Sequence, residues 1–478
     1  MPHLKCVDCS HLFDGDDLAA TCELCGSSVI ILDEPEVIPS REELDNLPPG
    51  VWRFRAFLPK LPSGEAVSLG EGGTPLLRAE RLGGELGLDN LLIKDESRNP
   101  TGSFIDRGST VLVSLARRRG FRECSCVTTG NLGASLSAYC AKAGMPARIR
   151  IQPSTDRGKL YQMLAYGAQI EATSRDQEWR PEGNSLSVTA GNPYILEGEK
   201  TTGFEMVHDL GWKTPDLVVV PVGTGGHLSM IWRAIGQLRE CGLVARADCR
   251  LLGVQLEGSA PILGSRKESG PPQSPFTELE ESEPFFRKEV LRAIAESRGM
   301  GLTTTTNEAI KATGLLARTE GIFAEPASAS AVAAIQAGIS RGFIRKEDEV
   351  VCVITGAGLK DTKAVSRLAR VARRVAVRED YTLARMQIGE TKLELLRLLA
   401  SRPSYGYEMW QLLSHERRIT TASVYQHLIE LEAFALVRRA GSATAKGRER
   451  VLYSLTRRGS DFLRIADRVQ RTGERGAG

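Results

Sequence analysis

Four of the ten cysteines are arranged as two close pairs near the N-terminus. Cys6 and Cys9 form one pair, Cys22 and Cys25 form the other, and twelve residues separate the two pairs. Each Cys-x-x-Cys pair can place two thiolates on one tight turn, and two such pairs complete a closed tetrahedron of the kind that holds structural zinc. We therefore predict a zinc ribbon over residues 1–34, with a reactive dithiol as the alternative.

A glycine-rich loop lies near the middle of the chain. Residues 222–226 read VGTGG, follow an apolar run and precede a helical pattern. Glycines at such a turn let successive backbone N–H groups converge on an anion at the N-terminus of the helix. We predict that Gly223, Thr224, Gly225 and Gly226 bind a phosphate group, although many ordinary strand-to-helix turns have a similar sequence.

A third segment carries a more specific signature. Residues 99–107 read NPTGSFIDR, which resembles the NPTGSFKDR segment of threonine synthases and other fold-type II pyridoxal-phosphate enzymes. Eight of the nine positions match, and the mismatch is Ile105, where these enzymes have the lysine whose amine forms a Schiff base with the cofactor. The resemblance extends over about residues 67–371, and the N-terminal ribbon is also similar to that of microbial threonine synthases.

The resemblance implies two further contacts with pyridoxal phosphate. Residues 128–131 read TTGN and resemble the SGN element of the family, whose asparagine hydrogen-bonds the ring hydroxyl, so that role falls to Asn131. Residues 355–361 read TGAGLKD and resemble the family's TGHGLKD, in which the threonine hydroxyl contacts the pyridine nitrogen, so that role falls to Thr355. Together with the glycine loop, these segments predict a cofactor site without its anchoring lysine.

The loss of the lysine decides what chemistry we expect. Isoleucine can neither hold the cofactor covalently nor move protons on a bound amino acid. Loss of such a residue in other enzymes lowers turnover by roughly 10⁴- to 10⁶-fold. We therefore assign no catalytic residue at Ile105 and expect non-covalent pyridoxal phosphate, with an amino acid or a phosphorylated amino acid as the ligand. A substitute amine from Lys94, Lys159 or Lys200 stays open, as does a single-codon substitution.

The chain around these motifs alternates short apolar runs with amphipathic stretches. This pattern predicts an α/β core over residues 67–378, with parallel sheets, helices on both faces and ligands beyond the carboxyl ends of the strands. The resemblance implies the tryptophan-synthase-β-like form of this fold. Six prolines fall within residues 35–66, which we interpret as a linker that tethers the ribbon.

Residues 385–471 are organised differently. Three apolar stretches at helical spacing precede an alternating strand pattern with basic residues around a turn-prone segment, which describes a winged helix. The segment resembles PadR-type transcriptional regulators over about eighty residues. Its recognition helix would present Ser423, Gln426 and His427 to base edges. The basic side chains expected to contact the phosphates of double-stranded DNA are Arg438, Arg439, Lys446, Arg448 and Arg450.

Two alternatives accompany this interpretation of the C-terminal segment. From Tyr381 onward there are 17 Lys and Arg against 10 Asp and Glu, which favours a polyanionic partner only weakly, so a protein-docking winged helix stays open. The last helix has an apolar stripe of Phe462, Ala466 and Val469. That stripe suits a homodimer, and packing back on the same domain is equally consistent.

The composition is that of a globular protein. The chain has 478 residues, of which 41% are hydrophobic and 25% are charged. We expect a cytoplasmic protein without a membrane anchor, because no run approaches the roughly eighteen apolar residues of a membrane helix. The leading hypothesis is a ligand-responsive regulator with a degenerate core. A working threonine synthase acting on O-phosphohomoserine is the alternative, and a structural partner of an active paralogue is a third possibility.

Overall fold

A computed structural model of the protein describes residues 2–18, 21–128, 130–151, 155–172, 184–245, 248–258, 260–264, 286–361, 389–414, 419–445 and 448–474. The chain divides into two units, Met1–Val371 and Ala372–Gly478, and each is considered by itself. The expected end of the core at residue 378 and the expected start of the winged helix at residue 385 lie outside the described residues.

The N-terminal ribbon is a small antiparallel sheet. Its strands are β1 (His3–Cys6), β2 (Leu12–Asp14) and β3 (Val29–Ile31), with β1 in the centre. The ribbon is packed firmly on the rest of the unit, because Leu4, Val29 and Ile31 belong to the same hydrophobic cluster as core residues of the larger domain. The side-chain amide of Asn192 also donates to the carbonyl of Leu18 at 2.5 Å. The prediction that the ribbon is tethered by a linker rather than embedded is therefore wrong.

The core contains two sheets. Its strands, in chain order, are β4 (Leu76–Arg78), β5 (Asn90–Asp95), β6 (Glu123–Thr128), β7 (Ala147–Ile151), β8 (Gln169–Ala172), β9 (Ser185–Val188), β10 (Leu217–Pro221), β11 (Arg250–Leu256), β12 (Met300–Thr304) and β13 (Glu349–Ile354). The larger sheet has the order β12-β11-β10-β13-β5-β4 and is parallel except for the edge strand β4. The smaller sheet has the order β8-β7-β6-β9 and is parallel throughout.

Helices surround these sheets. In chain order they are α1 (Arg41–Asp45), α2 (Glu80–Leu86), α3 (Asp106–Arg118), α4 (Asn131–Ala143), α5 (Arg157–Ala165), α6 (Pro193–Asp209), α7 (Gly226–Glu240), α8 (Arg287–Glu296), α9 (Thr306–Glu320) and α10 (Pro326–Ser340). Short 3-10 helices cover Val51–Phe57, Glu96–Arg98 and Gly358–Lys360.

The central strand β10 shows why the sheet is covered on both faces. Its residues are all buried, and successive side chains of a strand point to opposite faces. Leu217 and Val219 belong to one hydrophobic cluster, whereas Val218 and Val220 belong to another. The predicted α/β core with helices on both faces is therefore confirmed, and its continuous apolar strand is typical of parallel sheets.

The segment between the ribbon and the core contributes to packing. Its helix α1 begins after Ser40, which forms a capping box with Glu43. The 3-10 helix Val51–Phe57 buries Phe54 and Phe57 against Phe204 of α6, with ring centroids 5.4 and 5.0 Å apart. Residues 35–66 thus connect the ribbon to the core and also pack on it.

The C-terminal unit has the order of elements expected of a winged helix. They are α11 (Glu390–Ser401), β14 (Ser404–Tyr405), α12 (Gly406–Ser414), α13 (Thr421–Ala433), β15 (Val437–Ala445), β16 (Arg448–Leu455) and α14 (Arg457–Glu474). The three strands form an antiparallel sheet with β16 in the centre. One hydrophobic cluster joins the helices and the hairpin. Among the described residues, no helix is both long and apolar enough to cross a membrane.

Candidate functional site

The four paired cysteines meet in the ribbon. Their sulfur atoms all lie within 4.8 Å of one another, and the closest pairs, Cys6 with Cys25 and Cys9 with Cys22, are 3.5 Å apart. The backbone N–H groups of Asp8 and Cys9 both donate to the Cys6 sulfur at 3.3 Å. Four thiolates at this spacing have the donor set and closed geometry of a structural metal site.

Ile105 lies at the N-terminus of α3. Its backbone has helical angles, φ −60° and ψ −23°, and its half-buried side chain packs against the cluster around the smaller sheet. The next residue, Asp106, fixes this turn by accepting hydrogen bonds from the N–H and hydroxyl of Thr101, both at 2.7 Å, and from the Ser135 hydroxyl at 2.6 Å. The backbone that presents residue 105 is thus held by buried partners.

The segment around Thr355 is joined to the segment of Ile105. The N–H of Phe104 donates to the carbonyl of Thr355 at 3.1 Å, and an isolated bridge pairs Ser103 with Gly356. The Thr355 hydroxyl lies 2.7 Å from that of Ser328 at the start of α10. Because β5 and β13 are parallel neighbours, the segments that follow them meet at one edge of the sheet, as expected for a ligand site.

Asn131 begins helix α4 on another side of this region. Its side-chain N–H₂ lies 3.3 and 3.4 Å from the carboxylate oxygens of Glu325. Its side-chain oxygen is buried and has no hydrogen-bond partner in the described part of the chain. A buried acceptor of this kind is costly unless a ligand or water satisfies it. Asn131 therefore presents an available acceptor next to a carboxylate.

The three lysines considered from the sequence occupy different environments. Lys94 is fully buried and pairs with Glu205 at 3.1 Å and Asp209 at 2.9 Å. Lys200 pairs with Glu197 at 2.5 Å, also within the core. Lys159 is nearest to the predicted site, because its amine lies 3.6 Å from the same carboxylate, Glu325, that Asn131 contacts. Among the ion pairs of these three lysines, that of Lys159 is with a carboxylate that a predicted cofactor residue, Asn131, also contacts.

The glycine loop joins β10 to helix α7. Gly225 has φ +98°, a backbone angle that residues other than glycine rarely adopt. A Cβ atom on Gly225 would lie 2.6 Å from Val290, and one on Gly226 would lie 2.6 Å from Leu196. The N–H groups in the first turn of α7 have no acceptors within the helix. The N–H of Gly226 lies 3.4 Å from the Thr224 hydroxyl, and the loop has the narrow backbone and the helix N-terminus that an anion site requires.

A stacked ring pair connects the glycine loop to Ile105. His227, which follows the loop, stacks on Phe104 with centroids 4.1 Å apart and an angle of 15°. One ring nitrogen of His227 lies 3.0 Å from the Thr202 hydroxyl, and the other has no hydrogen-bond partner among the described residues. Burial lowers the pKa of His227 to about 3, so the ring is uncharged at neutral pH.

A buried ion cluster below the site was not anticipated from the sequence. Arg107 is fully buried and contacts Glu96 and Glu205, each at 2.6 Å. Burial alone would lower the pKa of Arg107, but Glu205 and Glu96 outweigh it and leave the pKa raised. The only available signal was Arg107 itself, a charged residue in the NPTGSFIDR segment that precedes the apolar residues of α3.

The predicted DNA-contacting residues are distributed over α13 and the hairpin. Thr420 caps α13 by accepting from the N–H of Ser423 at 3.2 Å, which is a common way for a helix to begin. Gln426 is exposed and donates to Glu430 at 3.2 Å. The ring of His427 lies between Ser423, at 3.4 Å, and Glu430, at 3.8 Å. An acidic side chain thus already contacts two of the three predicted base-reading residues.

Two arginines of the hairpin, Arg438 and Arg439, lie on different faces of it. Arg438 pairs in register with Ser454, and Arg439 with Tyr453, so the two successive side chains lie on opposite faces of the strand. The Arg450 guanidinium lies over the Tyr407 ring, 5.4 Å from its centroid. Lys446 and the side chain of Arg448 lie outside the described residues.

The apolar stripe on the last helix is used inside the domain. Phe462 is buried in the hydrophobic cluster of the winged helix, and Ala466 packs against that cluster. The Val469 side chain lies outside the described residues. Of the two interpretations, packing back on the same domain accounts for Phe462 and Ala466.

Taken together, the parallel strands, the glycine loop at a helix N-terminus and the polar groups at the strand ends define an α/β protein with a candidate ligand site, joined to a winged helix. The chain belongs to the pyridoxal-phosphate dependent enzyme family, whose model matches residues 67–356. Residues 395–465 match the transcriptional regulator PadR-like family. Both resemblances predicted from the sequence are confirmed.

Curated relatives of this chain include threonine synthases. That of Methanocaldococcus jannaschii is 36% identical over 381 residues, which cover 76% of this chain and 94% of the relative. That of Mycobacterium leprae is 37% identical over 326 residues, covering 66% and 89%. Among solved structures, the processed form of threonine deaminase isoform 2 from Solanum lycopersicum has a TM-score of 0.51 and 19% identity, with 63% of this chain and 88% of that chain covered. The latter similarity concerns the fold alone.

The residues at the site fit pyridoxal phosphate except at position 105. The unpartnered oxygen of Asn131, the glycine loop in which a Cβ atom would clash and the Thr355 hydroxyl are the groups that could hold the cofactor. Ile105 offers no amine. The site is therefore suited to holding the cofactor by hydrogen bonds and by its phosphate.

Proposed function

We propose that this protein is a ligand-responsive transcriptional regulator that acts in the cytoplasm. Its degenerate core senses pyridoxal phosphate or an amino acid, and its winged helix binds double-stranded DNA. The observation that carries the proposal is Ile105 at the start of α3. The hydrogen bonds that Asp106 accepts from Thr101 and Ser135 hold the backbone at this position, so the site is ordered although residue 105 is not a lysine. A PadR-like domain on the same chain supplies the output.

Each polar group of the site has a role in this proposal. Gly223, Thr224, Gly225 and Gly226 hold the cofactor phosphate, Asn131 contacts the ring hydroxyl and Thr355 contacts the pyridine nitrogen. When bound, pyridoxal phosphate supplies a reactive aldehyde on an electron-withdrawing ring. The Ile105 side chain is a hydrocarbon at the start of α3, so it cannot transfer a proton. The retained polar groups favour binding of the cofactor, whereas the amine that would start catalysis is absent from position 105.

The proposal is tested with the full chain and with DNA fragments selected from a random library by the same protein. Fluorescence anisotropy should show that pyridoxal phosphate, alone or with amino acids, changes the Kd for the selected DNA. The thermal midpoint of the protein should also rise with the ligand, as expected for binding to the folded state. If no fragment is selected, or if DNA affinity is the same with and without every ligand, the regulator hypothesis is wrong.

The four cysteines are proposed to hold structural zinc. We expect Cys9→Ser to lower the bound zinc, measured by plasma emission spectrometry, from about one ion per chain to a small fraction of that value. Because the ribbon shares a hydrophobic cluster with the core, the thermal midpoint of the first unit should fall as well. Cys241→Ser, at a half-buried cysteine outside the ribbon, is the matched control and should keep its zinc. Equal zinc content in the two variants would exclude this site.

Direct contact with DNA is tested at two positions. We expect Gln426→Ala to weaken binding to the selected DNA by about 5- to 150-fold, because a bidentate contact to a base contributes about 1–3 kcal/mol. Arg438→Ala should weaken binding to all sequences and reduce the slope of log K against log salt by about 1. Arg464→Ala, an exposed arginine of α14 paired with Asp461, serves as the control. Wild-type affinity in both test variants would favour the protein-docking alternative.

We also propose a homodimer, so that two winged helices contact two half-sites of DNA. Sedimentation equilibrium of the full chain measures this directly. Since Phe462 and Ala466 already pack within the domain, the dimer contact should involve other residues. A chain that stays monomeric at micromolar concentration, with and without DNA, would contradict the proposal.

A working threonine synthase is the second candidate function. It is favoured by the threonine synthases among the relatives and by Lys159, whose amine lies 3.6 Å from Glu325, the carboxylate that Asn131 also contacts. This candidate predicts that borohydride fixes pyridoxal phosphate to Lys159 in the unmodified protein, as shown by peptide mapping, and that O-phosphohomoserine is converted to threonine. Lys159→Arg, which keeps the charge near Glu325, should abolish both results. Absence of labelling in the wild type would exclude it.

A further inference from the structure

A cavity lies between the ribbon and the outer faces of α7 and α8, and none of the predicted cofactor residues lines it. Its volume is about 750 Å³, which is within the usual range of small-molecule sites. The ribbon contributes Ile30 of β3 and the residues that follow it, Leu32 and Glu34, to one wall. Helix α7 contributes Arg233 and Gln237. The cavity thus joins two parts of the chain that are distant in sequence.

Arg233 brings a positive charge to this cavity without a protein counter-ion. The guanidinium makes no ion pair with any described residue, and its Nη1 atom is buried without a hydrogen-bond partner. Three other arginines around the cavity are paired: Arg292 with Glu289 and Glu296, Arg298 with Asp248, and Arg239 with Glu240. Arg233 is half-buried, and a guanidinium nitrogen that is buried without a partner is costly unless a hydrogen-bond acceptor such as an anion reaches it. Arg233 therefore defines a position for a carboxylate or another small anion.

Gln237 needs a hydrogen-bond donor in this cavity, whereas Arg233 needs an acceptor. It is 2% exposed, and its side-chain N–H₂ donates to Glu34 at 2.8 Å. Since a carboxylate can only accept at this contact, the amide nitrogen must face Glu34 and the amide oxygen must face away from it. That oxygen is buried and has no partner in the described chain. The cavity therefore holds an unused acceptor, with the negative charge of Glu34 beside it.

The two groups are neighbours on one helix. Arg233 and Gln237 are four residues apart on α7, so their side chains lie on the same face, with Cβ atoms about 5–6 Å apart. A free α-amino acid carries a carboxylate and an ammonium group on one carbon, and this arrangement complements a guanidinium donor beside an amide acceptor. Ile30, Leu32 and Met230 provide apolar surface for an aliphatic side chain.

We propose that this cavity is an effector site for a free aliphatic L-α-amino acid, whose carboxylate binds Arg233 and whose ammonium group binds Gln237 and Glu34. The site is separate from the cofactor residues but connected to them. Met230 packs against Ile30 and Phe286, and the N–H of Phe286 donates to the carbonyl of Thr224 in the glycine loop at 3.1 Å. Binding of the amino acid at this site does not depend on the proposed function, whereas any effect of that binding on DNA recognition rests on it.

Binding is tested by isothermal titration calorimetry of the full chain with L-valine, L-leucine, L-isoleucine and L-alanine. At least one of them should bind, whereas isobutylamine, which lacks the carboxylate, and isovalerate, which lacks the ammonium group, should not. Arg233→Met and Gln237→Met should each raise the Kd by about 10- to 100-fold, as expected for loss of a hydrogen bond to a charged group. Arg233→Lys, which keeps the charge, should retain part of the affinity and shows that a folded cavity is present.

Two controls separate this site from the cofactor site. Arg341→Met, an exposed position at the end of α10, should leave the amino-acid Kd unchanged. Asn131→Ala should weaken pyridoxal-phosphate binding, followed by absorbance, without changing the amino-acid Kd. If none of the four amino acids binds, or if Arg233→Met binds them as the wild type does, the effector site is refuted. Loss of amino-acid binding in Asn131→Ala instead would place the ligand at the cofactor site and also refute the proposal.

Discussion

Replacing Ile105 with lysine is expected to give a protein that holds pyridoxal phosphate covalently. The helical backbone at this position suits lysine as well as isoleucine, and the turn is fixed by Asp106 rather than by the side chain that is replaced. Borohydride should attach about one cofactor per chain in Ile105→Lys and none in the wild type, as measured by intact-protein mass spectrometry. An absorption band that borohydride removes should appear only in the variant.

The activity of the Ile105→Lys variant measures how much of the catalytic site remains. If only the anchor has been lost, formation of threonine from O-phosphohomoserine should rise by roughly 10⁴-fold over the wild type, because an anchoring residue has an effect of that size in other enzymes. Ile105→Met, a flexible side chain without an amine, is the control and should show neither the band nor the activity. Covalent cofactor on the unmodified chain would overturn the degenerate-core interpretation. A variant that never gains the band would show that the cofactor contacts themselves have been lost.

Breaking the buried ion cluster should give the largest change in stability. Arg107→Met leaves Glu96 and Glu205 without their guanidinium partner in the core, where all three groups are essentially unexposed. Removing one member of a buried pair typically costs about 3–5 kcal/mol; here Glu96 would lose its guanidinium partner in the core, whereas Glu205 would keep its pair with Lys94. We expect the free energy of unfolding of the first unit, measured by urea titration, to fall by about this amount.

A surface pair provides the matched comparison. Arg118 pairs with Glu65, and the side chains of both are more than two fifths exposed, at 46% and 41%. Arg118→Met should therefore lower the free energy of unfolding by about 1 kcal/mol or less, since solvent screens such pairs. The same Arg-to-Met change thus separates the effect of burial from that of the substitution. Equal losses in the two variants would contradict the structural role assigned to Arg107.

The cluster also gives the first unit a defined pH dependence. Burial would raise the pKa of Glu205, but Arg107 and Lys94 outweigh it and hold the pKa well below its ordinary value of 4.5. A carboxylate with a depressed pKa in the folded state stabilises the protein above the unfolded value and loses that contribution as pH falls. The thermal midpoint should thus decline below about pH 4.5. This decline should be smaller in Glu205→Gln, which removes the titrating group.

Local sequence determined several features of this protein. The four cysteines, the glycine loop and the segment ending at Arg107 are short stretches whose chemistry depends on near neighbours in the chain, so the sequence alone was enough to predict a metal site and a phosphate site. The alternation of apolar and amphipathic stretches also indicated parallel sheets, because a strand buried on both faces needs a continuous apolar run such as that of β10. In the C-terminal unit, helical spacing and the basic hairpin indicated a winged helix for the same reason.

Contacts between distant parts of the chain were decided only by the tertiary structure. The partners Arg107 and Glu205 are separated by 98 residues, and Asn131 and Glu325 by 194, so no local pattern could pair them. The position of Lys159 beside Glu325 and the packing of the ribbon on the core have the same origin. Arg438 and Arg439 look equivalent in sequence, yet the alternation of a strand sends them to opposite faces. Residue types thus set the chemistry that is available. Long-range packing decided which charged side chains contact one another, because only folding removes them from water together.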